Sequence, residues 1–133
     1  MSAEIDATPT PAPQHDGNGS RRSGSRATTS PEAERQAALR EAERAAEVAR
    51  TALAEALRTV VRGMVDTATR RRAEYSTDAS NYRVVPEAVV YPHDADDVVA
   101  ALDVLRELEV PITARGAGTS VAGNSLGPGV VLD

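Results

Sequence analysis

The 133 residues include no cysteine, lysine, phenylalanine or tryptophan, and aromatic residues make up 2% of the chain. Without Cys there is no disulfide framework, no thiolate nucleophile and no Cys-ligated zinc or iron–sulfur centre within these residues. Without Lys there is no Walker A loop, which needs Gly-Lys-Ser/Thr. Large apolar side chains are also scarce. Apolar residues reach 41%, but 24 of those 54 are Ala, and Val, Leu and Ile together number 25. That is just under the roughly one-fifth at which chains begin to look disorder-prone, and Ala buries little area per residue. Such a composition argues against a self-sufficient globule. A net charge of −5, with 15 Arg against 20 acids, argues against a general nucleic-acid binder. No run approaches 18 apolar residues, so no transmembrane segment is expected, and MSAEIDATPTPAPQ has neither the basic nor the apolar part of a signal peptide. The chain reads as cytoplasmic, or as peripheral to a membrane through something outside these residues.

What is present divides into three stretches. Residues 1–30 draw half their number from Pro, Ser, Gly and Thr, with Ile5 as the one aliphatic larger than Ala or Met. Ordering them would cost about 1–2 kcal/mol each in backbone entropy with nothing to bury, so a disordered tail is expected. Residues 31–74 read as helical. Ser30-Pro31-Glu32 combines an N-cap, a Pro at the first helical position and an acid at the positive end of the dipole. Glu32/Arg35, Glu41/Arg44, Glu47/Arg50 and Glu55/Arg58 are i,i+3 pairs that support a helix to about Arg62. Leu39, Ala42, Ala46, Ala49, Leu53, Ala56 and Val60 follow the 3–4 spacing of a coiled-coil seam, weakened by four alanines. Two readings stay open: a helix lying on its own protein, or a dimeric coiled coil. Gly63 fits a helix C-cap, and Asp66 a cap for a short helix to Glu74.

From residue 75 the pattern changes. YSTDASNYR is rich in turn formers. Ala88–Tyr91 reads as a strand and Asp94 as an N-cap, with Asp97 completing an imperfect capping box. Val98, Val99, Leu102, Leu105 and Leu108 mark a helix face, and Pro111–Ala114 begins a second strand, giving a βαβ unit. Gly129–Asp133 starts a third strand. Its VVLD reads as buried on both faces with no polar run-out, so the chain is expected to be the N-terminal part of a longer protein.

The segment with a chemical message is Arg115-Gly-Ala-Gly-Thr-Ser-Val-Ala-Gly-Asn124, which directly succeeds a strand. Gly116 and Gly118 permit positive φ and close backbone approach, so that successive N–H groups can form an anion nest. Thr119 and Ser120 add hydroxyls, Arg115 a charge, and Gly123 and Asn124 another tight bend. A pyrophosphate suits this set. A Rossmann fingerprint does not fit, because Val121 stands where the third Gly belongs and GNSLGPGVVLD, just beyond it, reads as turn and strand in place of a helix. A plain Gly-rich turn between strands remains the competing reading. Asp78, Asp94, Asp96 and Asp97 have no His at ligand spacing, so caps and solvated faces account for them and no metal site is expected. His15 and His93 read as solvent-exposed.

Residues 75–133 resemble the opening of the flavin-binding domain of the vanillyl-alcohol oxidase and p-cresol methylhydroxylase (PCMH) superfamily. The resemblance rests on YSTDASNYR, VVYP, DADDVVAALDVLRELEV, PITA, RGAGTSVAGN and GPGVVLD, in that order. Within that superfamily it is nearest to the FAD-linked D-2-hydroxy acid dehydrogenases of D-lactate and D-2-hydroxyglutarate type, often fused to a C-terminal iron–sulfur region. The resemblance implies an α+β fold: a long N-terminal helix followed by an incomplete βαβ-type first subdomain of a PCMH-type FAD-binding domain. It implies FAD as cofactor, with Arg115, Gly116, Ala117, Gly118, Thr119, Ser120, Gly123 and Asn124 around the pyrophosphate, and Val90, Tyr91 and Pro92 toward the adenine. Arg115 is split between contacting phosphate and pairing with an acid of the domain. Thr119 stands where relatives with covalent flavin carry His, so the FAD should be non-covalent. Glu109 stands where such helices end in Gly, and a left-handed conformation there would be strained.

The implied enzyme oxidises a small D-2-hydroxy acid and passes electrons to a quinone, cytochrome or iron–sulfur acceptor. Its catalytic residues, and any iron–sulfur cluster, would lie beyond Asp133, so this chain alone is expected to be inactive. Two other classes stay in play: a stand-alone anion- or nucleotide-binding module, and an interaction protein working through the Ala-rich helix.

Overall fold

The computed structural model describes residues 30–133, and the expected tail therefore lies outside the described residues apart from Ser30. Helix α1 runs Pro31–Val60, strand β1 Met64–Asp66, helix α2 Thr69–Glu74, strand β2 Ala88–Tyr91, helix α3 Ala95–Glu107, strand β3 Ile112–Ala114 and strand β4 Val130–Leu132. The fold is α+β, as the resemblance implies. Ser30 Oγ accepts from the Ala33 N–H at 3.2 Å, which fixes the start of α1. Of the four expected i,i+3 pairs, Glu47–Arg50 forms. Arg58 instead donates to the Val65 carbonyl at 3.2 Å, and Arg50 also reaches Glu87 at 2.8 Å.

The sheet order is β1-β2-β4-β3, antiparallel between β1 and β2 and parallel elsewhere. Three expectations change here. The stretch 31–74 is not wholly helical. α1 stops at Val60, and Gly63 caps nothing: it lies against β2, where a Cβ would overlap the Tyr91 carbonyl oxygen. Asp66 sits in β1 and does not cap α2 as an N-cap; its Oδ1 accepts from the Ala68 N–H at 2.8 Å in a local turn. The βαβ crossover joins β2 to β3 with β4 inserted between them, so β4 is central and is paired along both edges. Its ladder groups are therefore satisfied within the chain.

One core spans the composition boundary at 74/75. Leu53, Ala54, Leu57, Val61 and Val65 pack with Ala88, Val90, Ala101, Leu105, Val130 and Leu132. α1 meets the sheet through Leu53, Ala54 and Leu57, an i, i+1, i+4 stripe that shares only Leu53 with the coiled-coil seam, so the C-terminal half of α1 lies on its own protein. On α3, Ala101 and Leu105 are buried and Val98 and Val104 pack beside them. Val99 and Leu102, expected on that face, are exposed, because 98, 101 and 105 keep the helical period that points at the sheet; Leu108, also expected there, is the exposed C-cap just past Glu107. Val89 and Val131 are buried on the opposite face of the sheet.

α3 ends in a Schellman arrangement. The Val110 N–H donates to the Leu105 carbonyl at 2.9 Å and the Glu109 N–H to the Arg106 carbonyl at 3.2 Å. The left-handed residue this requires is Glu109, with φ 54°. The strain expected from its sequence position is present.

Candidate functional site

The glycine-rich loop leaves the carboxyl end of β3, beside the carboxyl ends of β2 and β4. That is the edge where open parallel sheets bind ligands. Its start is fixed by the ladder, since the Arg115 N–H donates to the Leu132 carbonyl at 2.9 Å. Its end is fixed by close packing: a Cβ at Gly129 would overlap the Pro111 carbonyl oxygen, and one at Gly127 would overlap Thr113 Oγ1.

Between these anchors the first half of the loop leaves its backbone donors unused within the described residues. Among the described residues, the N–H groups of Gly116, Ala117, Gly118, Thr119 and Ser120 have no acceptor. Five successive N–H groups with no partner among the described residues are the raw material of an anion nest. Ser120 Oγ accepts from the Ala122 N–H at 3.3 Å and the Asn124 N–H at 3.0 Å, which bends the second half of the loop. The left-handed positions are Gly118 (φ 65°) and Gly123 (φ 79°); Gly116 does not adopt positive φ. A Cβ on Gly116 would meet nothing within 4 Å. Neither conformation nor crowding within the chain demands Gly there, and the open space at that position suits an incoming ligand.

The Arg115 guanidinium is committed to carbonyls. It donates to Thr77 at 2.9 Å, Ser125 at 3.3 Å and Tyr75 at 3.4 Å, and stacks 4.9 Å from the Tyr75 ring centroid. Among the described residues it pairs with no acid, and its place behind Gly118, whose Cβ would run into it, is that of a support for the loop. The Thr119 side chain and Asn124 are exposed. Of the residues assigned to the adenine side, Val90 is fully buried in the core and cannot line a ligand surface, whereas Tyr91 and Pro92 are half-buried. His93 is exposed, as its turn position suggests.

Residues 75–83 hold the loop from behind, and sequence reasoning did not assign them to the site. Asp78 accepts from the Ser125 hydroxyl at 3.0 Å and from the Ser80 N–H at 2.8 Å. Bonds from Ser80 first, then from Ser125, hold its carboxyl below the usual range. The Tyr82 ring packs on Gly123, where a Cβ would come within 2.9 Å of it. The Tyr75 hydroxyl donates to Asp133, and burial first, then that bond, raises its pKa and keeps it protonated. Asp-x-Ser in a turn-rich run was the available signal, but it is equally the signature of a solvated turn.

Elsewhere the described residues offer less. A groove of about 490 Å3 is lined by Ala46, Ala49, Ala52, Ala56, Leu108 and Val110 among others, away from the loop. Among the described residues no group of three His, Cys, Asp or Glu could hold a metal ion, and no helix is long and apolar enough to cross a membrane.

Comparison with known proteins agrees with this geometry. Residues 86–133 match the FAD binding domain family. The chain is 40% identical over 75 residues to the D-2-hydroxyglutarate dehydrogenase of Pseudomonas putida, a match covering 54% of this chain and 8% of that one. It is 45% identical over 47 residues to the glycolate oxidase subunit GlcD of Escherichia coli, covering 35% and 9%. Among solved structures, a variant of Physcomitrella patens BBE-like 1 superposes with a TM-score of 0.51 at 22% identity, over 61% of this chain and 18% of that one. This last likeness concerns the fold alone. The chain thus spans about a tenth of the length of the curated relatives it matches.

Proposed function

We propose that the chain supplies the pyrophosphate-binding part of an FAD-dependent oxidoreductase acting on a small D-2-hydroxy acid. The observation that carries the reading is the row of free N–H groups from Gly116 to Ser120 at the carboxyl edge of a parallel sheet, next to a Gly116 whose missing side chain leaves open space. FAD fits such a site because its pyrophosphate is a compact dianion, and when bound it would supply the two-electron chemistry by which a hydroxy acid becomes a keto acid.

The chain's own residues bind and orient. The N–H groups of Gly116, Ala117, Gly118, Thr119 and Ser120 would hold the phosphate oxygens, and Thr119 Oγ1 and Ser120 Oγ would add hydroxyl donors. Gly123 and Asn124 shape the far wall, Arg115 supports the loop from behind, and Tyr91 and Pro92 offer a half-buried surface beside it. Thr119, lacking a nucleophilic imidazole, leaves the cofactor non-covalent. The names of the relatives favour a hydroxy-acid substrate such as D-2-hydroxyglutarate, glycolate or D-lactate. An electron acceptor, any iron–sulfur cluster and the catalytic residues belong to sequence other than this. A cytoplasmic or membrane-peripheral setting fits the composition.

Backbone donors alone support weak affinity, with a Kd for pyrophosphate or ADP on the order of 1 mM, or about 4 kcal/mol. Titration of the 15N-labelled chain should shift the amide signals of residues 116–120 in a saturable way. Gly116→Ala should weaken that binding about tenfold while leaving the melting temperature unchanged, since the methyl enters open space and the backbone there is not left-handed. Shifts absent from 116–120, or a Gly116→Ala chain that binds normally, would sink the proposal. Micromolar ADP affinity would favour a stand-alone nucleotide module.

A further inference from the structure

Three consecutive residues outside the matched family segment touch the anion loop at its start, apex and end. The Thr77 carbonyl accepts from the Arg115 guanidinium at 2.9 Å, the Ala79 N–H donates to the Gly118 carbonyl at 3.1 Å, and Asp78 accepts from the Ser125 hydroxyl at 3.0 Å. The middle contact has a directional consequence. A trans peptide unit points its C=O and N–H to opposite sides, and no peptide among the described residues is cis. With the Gly118 carbonyl turned toward Ala79, the Thr119 N–H must face away from the strap, toward the open side of the loop. Left-handed Gly118, φ 65°, lets the chain make this turn.

We propose that residues 77–79 are a strap that aims the loop's N–H groups at the ligand, with Asp78 as its positioning residue. The inference rests on the FAD reading for the identity of the ligand, but not for the strap itself. Asp78 touches no ligand; it acts through Ser125 and through the tight turn it forms with Ser80, which places the Ala79 N–H.

The test uses the full 15N-labelled chain with inorganic pyrophosphate as probe. Asp78→Ala should weaken binding about tenfold and speed hydrogen exchange at the Ala79 amide by a similar factor. Asp78→Asn, which keeps one acceptor oxygen, should recover about a threefold part of the lost affinity. Ser125→Ala removes the same bond from its other end and serves if the Asp78 variants do not fold. Val61→Ala, a core change remote from the loop, is the stability control. If it weakens binding as much as Asp78→Ala for an equal loss of melting temperature, the strap only stabilises the fold and the proposal is overturned. It is also overturned if Asp78→Ala binds within twofold of the parent, or if the Ala79 amide of the parent exchanges like an open one. A parent chain that shows a protected Ala79 but no pyrophosphate shifts would remove the FAD reading and leave the strap.

Discussion

Glu109 shows what a single residue costs when topology demands a conformation its side chain resists. The Schellman geometry that ends α3 requires a left-handed residue, and Glu109 supplies it at φ 54°. The steric penalty for an L-residue there is about 1–2 kcal/mol, and the greater freedom of Gly in the unfolded chain offsets about 0.4–1 kcal/mol of any gain. Glu109→Gly should therefore stabilise by about 1 kcal/mol and raise the melting temperature by roughly 4–8 °C; an unchanged or lower value in a thermal melt would refute the assignment. This strain was legible because, in the family the chain resembles, such a helix ends in Gly where Glu109 stands. The roles of Gly63, Gly127 and Gly129 were not. Each is set by an atom distant in sequence, at Tyr91, Thr113 and Pro111 respectively, and no local pattern encodes that approach. Val90 misled for the same reason: strand periodicity shows that it is buried on one face but not which face meets a ligand.

At the scale of elements, Asp97 joins three of them. As the third residue of α3 it was expected to answer Asp94 in a capping box, and Asp94 does accept from the Asp97 N–H at 3.1 Å. The Asp97 carboxylate, however, leaves the helix. Only 2% exposed, it accepts from the N–H groups of Arg62 at 3.0 Å, Gly63 at 2.8 Å and His93 at 2.8 Å, tying the α1–β1 turn and the β2–α3 turn to α3. These backbone donors, Arg62 foremost, push its pKa well below the ordinary carboxylate range. A carboxyl whose pKa is lower folded than unfolded adds stability that is complete above its unfolded value, about 3.9, and declines as pH falls below it. Asp97→Asn should lower the melting temperature at neutral pH, because the amide cannot accept from three donors. The gap from the parent should narrow when both are melted near pH 3, and a gap equal at both pH values would exclude the carboxylate as its source. Strand order was the other element-level feature hidden from the sequence. β2, α3 and β3 were all recognisable, but the insertion of β4 between the strands is a non-local pairing that the residues of β2 and β3 do not announce.

For the molecule as a whole, the poverty of large side chains has a definite geography. The single core uses few residues, and α1 contributes to it only from Leu53 onward; residues 31–49 are exposed throughout. The excess acidity also has a place: residues 63–133 carry 11 acids against 6 Arg. The half of the chain that holds the anion loop is thus net negative, and attraction for a phosphate must come from fixed N–H dipoles at short range. The sequence showed the loop through its glycines and strand context, whereas the strap behind it required the fold. The uneven use of α1 leads to a paired test in one helix. Leu57 is fully buried among Val61, Val65 and the sheet, whereas Leu39 is 58% exposed. Leu57→Ala should cost about 2–5 kcal/mol, a large part of the 5–15 kcal/mol typical of a domain, and should shift the denaturant midpoint markedly. Leu39→Ala should stay within about 0.5 kcal/mol of the parent, as surface changes do. If Leu39→Ala instead lowers stability in a way that depends on protein concentration, the exposed half of α1 is a self-association surface, and the coiled-coil seam along Leu39, Ala42 and Ala46 is in use.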